Sequence, residues 1–224
     1  MTNLPAISGP ADASAALSGH FVGTMPVLVL FPHNRCNCRC VMCDIWRIRQ
    51  VREVTPKDLE PHLASLRALR VRWVVFSGGE PLLHSDLPAL SDLFRALGIR
   101  VTLLTAGLLL ERHANEIAGA IDDLIVSLDG PPPIHNEIRC VSGAFDRLAR
   151  GIEALRRLRP GIIARGRCTV QKMNFLCLRD TVSAAKQLGL NSISFLAADL
   201  TSEAFNRPGS WSEQRQESVA LDNE

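Results

Sequence analysis

Residues 27–43 read Val-Leu-Val-Leu-Phe-Pro-His-Asn-Arg-Cys-Asn-Cys-Arg-Cys-Val-Met-Cys, which joins a predicted strand to a cluster of cysteines. The first five residues are all apolar, a pattern typical of a β-strand that is covered on both faces. Four of the chain's seven cysteines then follow within the eight residues from Cys36 to Cys43. Thiolates are soft ligands that favour zinc, copper(I) or iron–sulfur clusters, so the loop after this strand is a candidate metal site.

Apolar runs and amphipathic stretches alternate along the rest of the chain. The further predicted strands cover residues 72–77, 100–105, 123–128, 162–170 and 192–197. The predicted helices cover residues 58–70, 87–97, 111–120, 144–159 and 178–188. This alternation predicts βαβ units and an α/β fold with a parallel sheet. We expect six strands in a partial (β/α)6 TIM-like barrel, with a six-strand doubly wound sheet as the alternative.

Composition and charge narrow the class of protein. The net charge of +2 and the spread of arginines along the chain predict neither a nucleic acid nor a membrane as a partner. Residues 1–20 are small and polar, with Asp12 and no basic stretch, unlike a secretory signal. We therefore expect a cytoplasmic protein whose cysteines serve metal ligation rather than disulfides.

The domain organisation follows from the same pass along the sequence. We predict a flexible leader at residues 1–23, a core domain at 24–200 and a polar tail at 201–224. The tail, which contains no cysteine, either ends a compact protein or begins a longer extension.

Unusual residues follow each predicted strand at its carboxyl end. Gly78-Gly79-Glu80-Pro81 follows the second strand, Thr105-Ala106-Gly107 ends the third, Ser127-Leu128-Asp129-Gly130 ends the fourth and Asn174 follows the fifth. In parallel α/β folds these ends lie on one rim, where active sites are found. The sequence therefore predicts that these segments converge with the cysteines on one site.

The cysteine loop itself allows three interpretations. A structural zinc site commonly takes four ligands as two separated pairs, yet the chain has no second Cys-x-x-Cys and no His-x-x-x-His. Three thiolates on a four-iron cluster would leave one iron open for a substrate or cofactor. Cys38 as a fourth thiolate would instead close the cluster, as in a non-catalytic electron carrier or redox sensor. A zinc-stabilised binding module is the third interpretation.

The spacing Cys36-x-x-x-Cys40-x-x-Cys43, continued by Asp44-Ile45-Trp46, resembles the signature of the radical S-adenosylmethionine (SAM) superfamily. Gly78-Gly79-Glu80-Pro81 is similar to the glycine-rich motif of that family, which contacts the amino group of SAM. Ser127 and Asp129 resemble its ribose- and SAM-contacting positions. The segment from His135 to Gly143 resembles the region whose arginine, here Arg139, pairs with the SAM carboxylate. Relatives often have Thr-Asn-Gly where this chain has Thr105-Ala106-Gly107.

This resemblance implies both cofactors and chemistry. A [4Fe–4S] cluster would be held by Cys36, Cys40 and Cys43. The SAM contacts would be Gly78, Gly79, Glu80, Ser127, Asp129 and Arg139. The implied reaction is reductive cleavage of SAM to a 5′-deoxyadenosyl radical, which abstracts hydrogen from a small-molecule or peptide substrate, with a peptide or cofactor precursor favoured. A flavodoxin or ferredoxin would supply the electron, and the resemblance is nearest to members that mature peptides or cofactors.

Overall fold

The structure, a computed structural model, describes residues 22–200 and 209–221. Six parallel strands form one sheet in the order of the chain. They are β1 (Val27–Leu30), β2 (Trp73–Phe76), β3 (Arg100–Thr105), β4 (Asp123–Ser127), β5 (Ile163–Val170) and β6 (Ser192–Ala197). This order excludes the doubly wound alternative, in which the strand order reverses part-way across the sheet. The sheet curls into a half-barrel, so the predicted partial TIM-like fold is confirmed.

Eight α-helices accompany the sheet in the described ranges. They are α1 (Pro56–Leu59), α2 (Leu63–Ala68), α3 (Leu87–Ala96), α4 (Leu110–Ile117), α5 (Pro132–Arg139), α6 (Ala144–Leu158), α7 (Leu178–Gln187) and α8 (Glu213–Glu217). The main core lies where strand residues such as Phe76, Leu103 and Leu124 pack on helix residues such as Phe94 and Leu155. Within the described ranges, no helix is long and apolar enough to cross a membrane. Most of the predicted leader and tail, residues 1–21, 201–208 and 222–224, lies outside the described residues.

The first predicted helix, over residues 58–70, is divided in the structure. Thr55 caps α1 with a capping box, because its side chain accepts from the Asp58 N–H while Asp58 accepts from the Thr55 N–H at 2.8 Å. Pro56 occupies the first turn, where no N–H donor is needed. Pro61 lies in a 3-10 turn, Glu60–His62, between α1 and α2. Proline interrupts the α-helical hydrogen bonds, so one predicted helix becomes two short ones.

Two helices, α5 and α8, were not predicted from the sequence pattern. Helix α5 begins among three consecutive prolines, residues 131–133, which are tolerated in the first turn because its N–H groups have no partner inside the helix. It ends at Cys140, which adopts the left-handed conformation with φ of 52°. This helix follows β4 directly and places Arg139 at the rim of the half-barrel.

Gly79, after β2, allows two backbone segments to approach closely. A Cβ at Gly79 would lie 1.9 Å from the carbonyl oxygen of Arg35, the residue before the first cysteine. The next residue, Glu80, donates its N–H to that same oxygen at 2.7 Å. Glycine is required at this position because no side chain fits between the two segments.

We predict that Gly79→Ala destabilises the fold, since the new methyl group would push the cysteine loop away from β2. The free energy of unfolding should fall by about 2–3 kcal/mol, measured by urea denaturation. Gly119→Ala is the matched control, because nothing lies within 4 Å of its Cβ position, and it should change stability by less than about 1 kcal/mol. Equal unfolding midpoints for the two variants would contradict the close approach.

Candidate active site

The cysteine loop follows β1 and is fixed against the end of α5. The N–H of Val41 donates to the carbonyl of Ile138 at 3.0 Å, and the N–H of Arg39 donates to the carbonyl of Arg139 at 3.4 Å. Cys38 and Cys40 are buried, whereas Cys36 and Cys43 are partly exposed. The loop is therefore held by backbone contacts that do not use the thiols.

Neighbouring groups give the four thiols different pKa values. Hydrogen bonding with the Cys38 thiol lowers the pKa of Cys36, and it lowers the pKa of Cys40 to about 6 with help from the Arg139 charge. The same hydrogen bonds raise the pKa of Cys38. Burial raises the pKa of Cys43 to about 11. The backbone N–H of Cys38 donates to Cys36 Sγ at 3.5 Å, so Cys38 lies beside a predicted ligand.

The chemistry of the donors allows a test of the cluster site. Cys36, Cys40 and Cys43 lie on one loop and supply three thiolates, which are the ligands that iron–sulfur clusters take. In such a cluster each thiolate binds a different iron. The three donors therefore fit a [4Fe–4S] cluster.

A buried ion pair connects the cysteine loop to the ends of β4 and β5. Arg139 Nη2 lies 2.5 Å from Asp129 Oδ2, and Arg139 Nη1 lies 3.4 Å from Cys40 Sγ. Asp129 Oδ1 accepts from the Thr169 N–H at 2.9 Å. Burial acts to lower the pKa of Arg139, but the charges of Asp129 and Cys40 outweigh it and raise that pKa. The arginine is therefore a fixed positive charge beside the cysteines.

His135 and Asn174 hold Asp129 from its backbone side. The Asp129 N–H donates to His135 Nδ1 at 3.2 Å, and its carbonyl accepts from Asn174 Nδ2 at 2.9 Å. Burial lowers the pKa of His135 to about 3, so the imidazole is neutral near pH 7 with its proton on Nε2. In this structure Asn174, a weaker functional candidate, ties the end of β5 to the end of β4.

Glu80, after β2, is completely buried and ties β2 to β3. Its Oε1 accepts from Thr105 Oγ1 at 2.6 Å and from the Leu82 N–H at 3.2 Å, while its Oε2 accepts from the Ala106 N–H at 2.8 Å. Burial raises the pKa of this carboxyl, and the three hydrogen bonds oppose that shift. The contact of residue 106 with Glu80 is made by the backbone N–H of Ala106, so it does not need the asparagine side chain that relatives often have at this position.

The structure places the remaining predicted SAM contacts around this centre. Ser127 is buried at the end of β4, two residues before Asp129. Gly78 has φ of 98°, and a Cβ there would lie 2.8 Å from Phe31. The glycine pair thus packs on the chain between β1 and the cysteines. The side chain of Arg139 contacts the side chains of Cys40 and Asp129. The side chain of Glu80 is instead hydrogen-bonded to residues at the end of β3.

Sequence reasoning missed the contribution of residues 209–221. Trp211 Nε1 donates to Asp44 Oδ2 at 2.6 Å, and Arg215 Nη2 donates to the Val41 carbonyl at 2.9 Å. Trp211 and Val219 are buried in an apolar cluster with Cys38, Cys40 and Met42. A tryptophan in an otherwise polar tail was the signal that this segment packs on another part of the chain.

Comparison with known proteins agrees with this geometry. The sequence profile of the Radical SAM superfamily matches residues 30–170. This chain belongs to the radical SAM superfamily. Proteins of this family bind a [4Fe–4S] cluster and SAM.

The regions aligned with individual relatives span about two thirds or more of this chain but less than half of each relative. The chain is 31% identical over 156 residues to the Fe-coproporphyrin III synthase of Methanosarcina barkeri, covering 66% of this chain and 38% of that protein. It is 31% identical over 159 residues to the AdoMet-dependent heme synthase of the same organism, covering 69% and 45%. Streptococcus suis SuiB, solved with SAM bound, shares the fold with a TM-score of 0.69 at 20% identity, covering 90% of this chain and 48% of that one.

We predict that Trp211 and Asp44 stabilise the cysteine loop through their buried hydrogen bond. Trp211→Phe should lower the free energy of unfolding by about 1–3 kcal/mol, because it leaves a buried carboxylate short of one donor. A double-mutant cycle with Asp44→Asn, measured by urea denaturation, should give a coupling energy above about 0.5 kcal/mol. Additive effects of the two substitutions would show that the contact does not stabilise the loop.

Proposed function

We propose that this chain is a radical SAM enzyme whose Cys36, Cys40 and Cys43 hold a [4Fe–4S] cluster with one iron open to SAM. The observation that carries the proposal is the contact of Arg139 with both Cys40 and Asp129 at the carboxyl ends of the strands. This contact joins two segments that resemble family motifs. Cys40 and Arg139 are 99 positions apart in the sequence. Residues 24–200 would form the core domain.

Buried polar atoms at this centre support its use as a ligand site. Within the described residues, Arg139 Nε is buried without a hydrogen-bond partner and suits a ligand carboxylate. The carboxylate oxygens of Asp129 have more lone pairs than its two observed partners use, so it and Ser127 suit ribose hydroxyls. The backbone carbonyls of Gly78, Gly79 and Glu80 suit the SAM ammonium. Glu80 itself positions that segment.

When bound, the cluster and SAM supply reductive cleavage to a 5′-deoxyadenosyl radical that abstracts hydrogen from the substrate. The chain orients SAM through Arg139, keeps His135 neutral behind Asp129, and covers the buried side of the loop with Trp211 and Val219. Covering the loop limits the access of water to a reactive intermediate. A flavodoxin or ferredoxin is the proposed electron donor.

The proposed substrate is a cofactor precursor, with a modified peptide as the second choice. The two Methanosarcina barkeri relatives are named for synthesis of an iron-coproporphyrin and of heme. SuiB has also been solved with its precursor peptide SuiA, at 20% identity to this chain. The identity of 31% to the first two relatives favours a cofactor precursor more strongly than this likeness favours a peptide. The chain spans 38% and 45% of those two relatives.

Anaerobic reconstitution tests this function. The protein should bind about four irons per chain and, with dithionite and SAM, release 5′-deoxyadenosine, measured by chromatography. Arg139→Gln should cut that release by about tenfold or more, because a bidentate carboxylate contact is lost. Arg112→Gln, an exposed substitution on α4, is the charge-matched control. A fully loaded protein that cleaves no SAM would overturn the proposal.

A non-catalytic iron–sulfur carrier or sensor is the second candidate function. The observation that favours it is the position of Cys38, which is 1% exposed, donates its N–H to Cys36 Sγ and lies in the same buried cluster as Cys40. A fourth thiolate from Cys38 would close the cluster and leave no iron for SAM.

Cys38→Ala distinguishes these two functions. In the proposed enzyme the variant should retain about four irons per chain, whereas Cys40→Ala should lose most of its iron. Iron content and the absorbance of the cluster, measured after desalting under anaerobic conditions, report the outcome. Loss of the cluster in Cys38→Ala, to the same degree as in Cys40→Ala, would favour the closed site.

A further inference from the structure

The two faces of β5 differ in character. A Cβ at Gly166 would contact the side chains of Ile193 and Leu190, which pack on the main core. Gly166 therefore faces the helix layer. Because side chains alternate along a strand, Arg165 and Arg167 on either side of it face the concave side of the half-barrel.

Arg165 pairs with a carboxylate, whereas Arg167 pairs with none among the described residues. Arg165 lies 3.2 Å from Asp123, which also pairs with Arg100 and accepts from Thr102. Asp123 is the only acid among the strand residues whose alternation places them on the concave side. Within the described residues Arg167 pairs with no carboxylate, and its Nε is buried without a hydrogen-bond partner. The concave face thus carries an unpaired guanidinium.

Apolar side chains flank this charge at both edges of the sheet. Val27 and Val29 on β1 alternate with core-packed Leu28 and Leu30, so they face the concave side, where they are 41% and 56% exposed. On the opposite edge Leu196 of β6 is 49% exposed and is paired in register with Thr169. Apolar side chains exposed on the same face as an unpaired positive charge suit a ligand that is apolar and anionic at once.

We propose that Arg167 binds a carboxylate of the substrate, and that the substrate is a largely apolar molecule bearing carboxylates. Arg167 pairs in register with Ser127, so it lies one side-chain layer below Asp129 on the concave face. A planar guanidinium captures a carboxylate through two parallel hydrogen bonds. This inference rests on the proposed function for its chemistry, and it assigns a substrate-binding residue to the same site.

Coproporphyrin III is a suitable probe because it is a planar apolar ring with four carboxylates, and its tetramethyl ester is the same ring without charge. Binding to the reconstituted protein, followed by fluorescence quenching, should be about tenfold or more tighter for the acid than for the ester. Arg167→Gln should weaken binding of the acid by about 10- to 100-fold and leave binding of the ester unchanged. Arg167→Lys should fall between, since a bidentate contact is lost but the charge is kept.

Arg112→Gln on the helix side removes the same charge and should bind both probes as the parent does. Circular dichroism and iron content show whether each variant is folded. Equal binding of acid and ester, or equal effects of the two glutamine variants, would overturn the inference. Self-association that Arg167→Gln abolishes, with no binding of either probe, would overturn it too, because a second copy would then cover this face. Binding needs no turnover, so failure to cleave SAM is a separate result.

Discussion

The buried ion pair of Arg139 and Asp129 is the constraint on which the rest of the site depends. Arg139 reaches Cys40 with its other nitrogen, and its backbone carbonyl accepts from the cysteine loop. Asp129 accepts from β5 through Thr169. Removing one partner of such a pair commonly costs about 3–5 kcal/mol, because the other charge stays buried. The pair therefore fixes three segments, after β1, β4 and β5, against one another.

Much of the fold could be predicted because its signals are local. Strands β1 and β2 are apolar runs, and the structure ends β3 at Thr105 and β6 at Ala197 as the sequence indicated. The alternation of strands and helices allowed a curled sheet to be expected, but it is equally compatible with a doubly wound strand order. Only the pairing of the strands decides between the two. Helix α5 escaped prediction because the three prolines that suggest a loop are also compatible with a first turn.

The candidate site was predictable where residues follow strand ends and unpredictable where contacts are long-range. Active sites lie at the carboxyl ends of parallel strands in such folds. This rule predicted that Cys40, Glu80 and Asp129 share one region, without any knowledge of side-chain directions. No periodicity shows that Trp211 returns to Asp44 across 167 positions. Nor could spacing show that Thr105 and Ala106 donate to the Glu80 side chain, a tertiary contact through which Glu80 supports the neighbouring strand.

The open side of the half-barrel gives the concave face its chemistry. A closed eight-stranded barrel fills its interior with layers of branched apolar side chains. Here the lower part of the face is instead a polar cluster, in which Trp73 donates to Thr102 and Asp123 pairs with both Arg100 and Arg165. On β5, Arg167 lies one layer above Arg165 and, among the described residues, pairs with no carboxylate, whereas Asp129 above it pairs with Arg139. An unpaired guanidinium therefore lies in the upper part of this face, at Arg167. A carboxylate that enters from the rim finds its partner there, directly beneath the residues proposed to hold SAM.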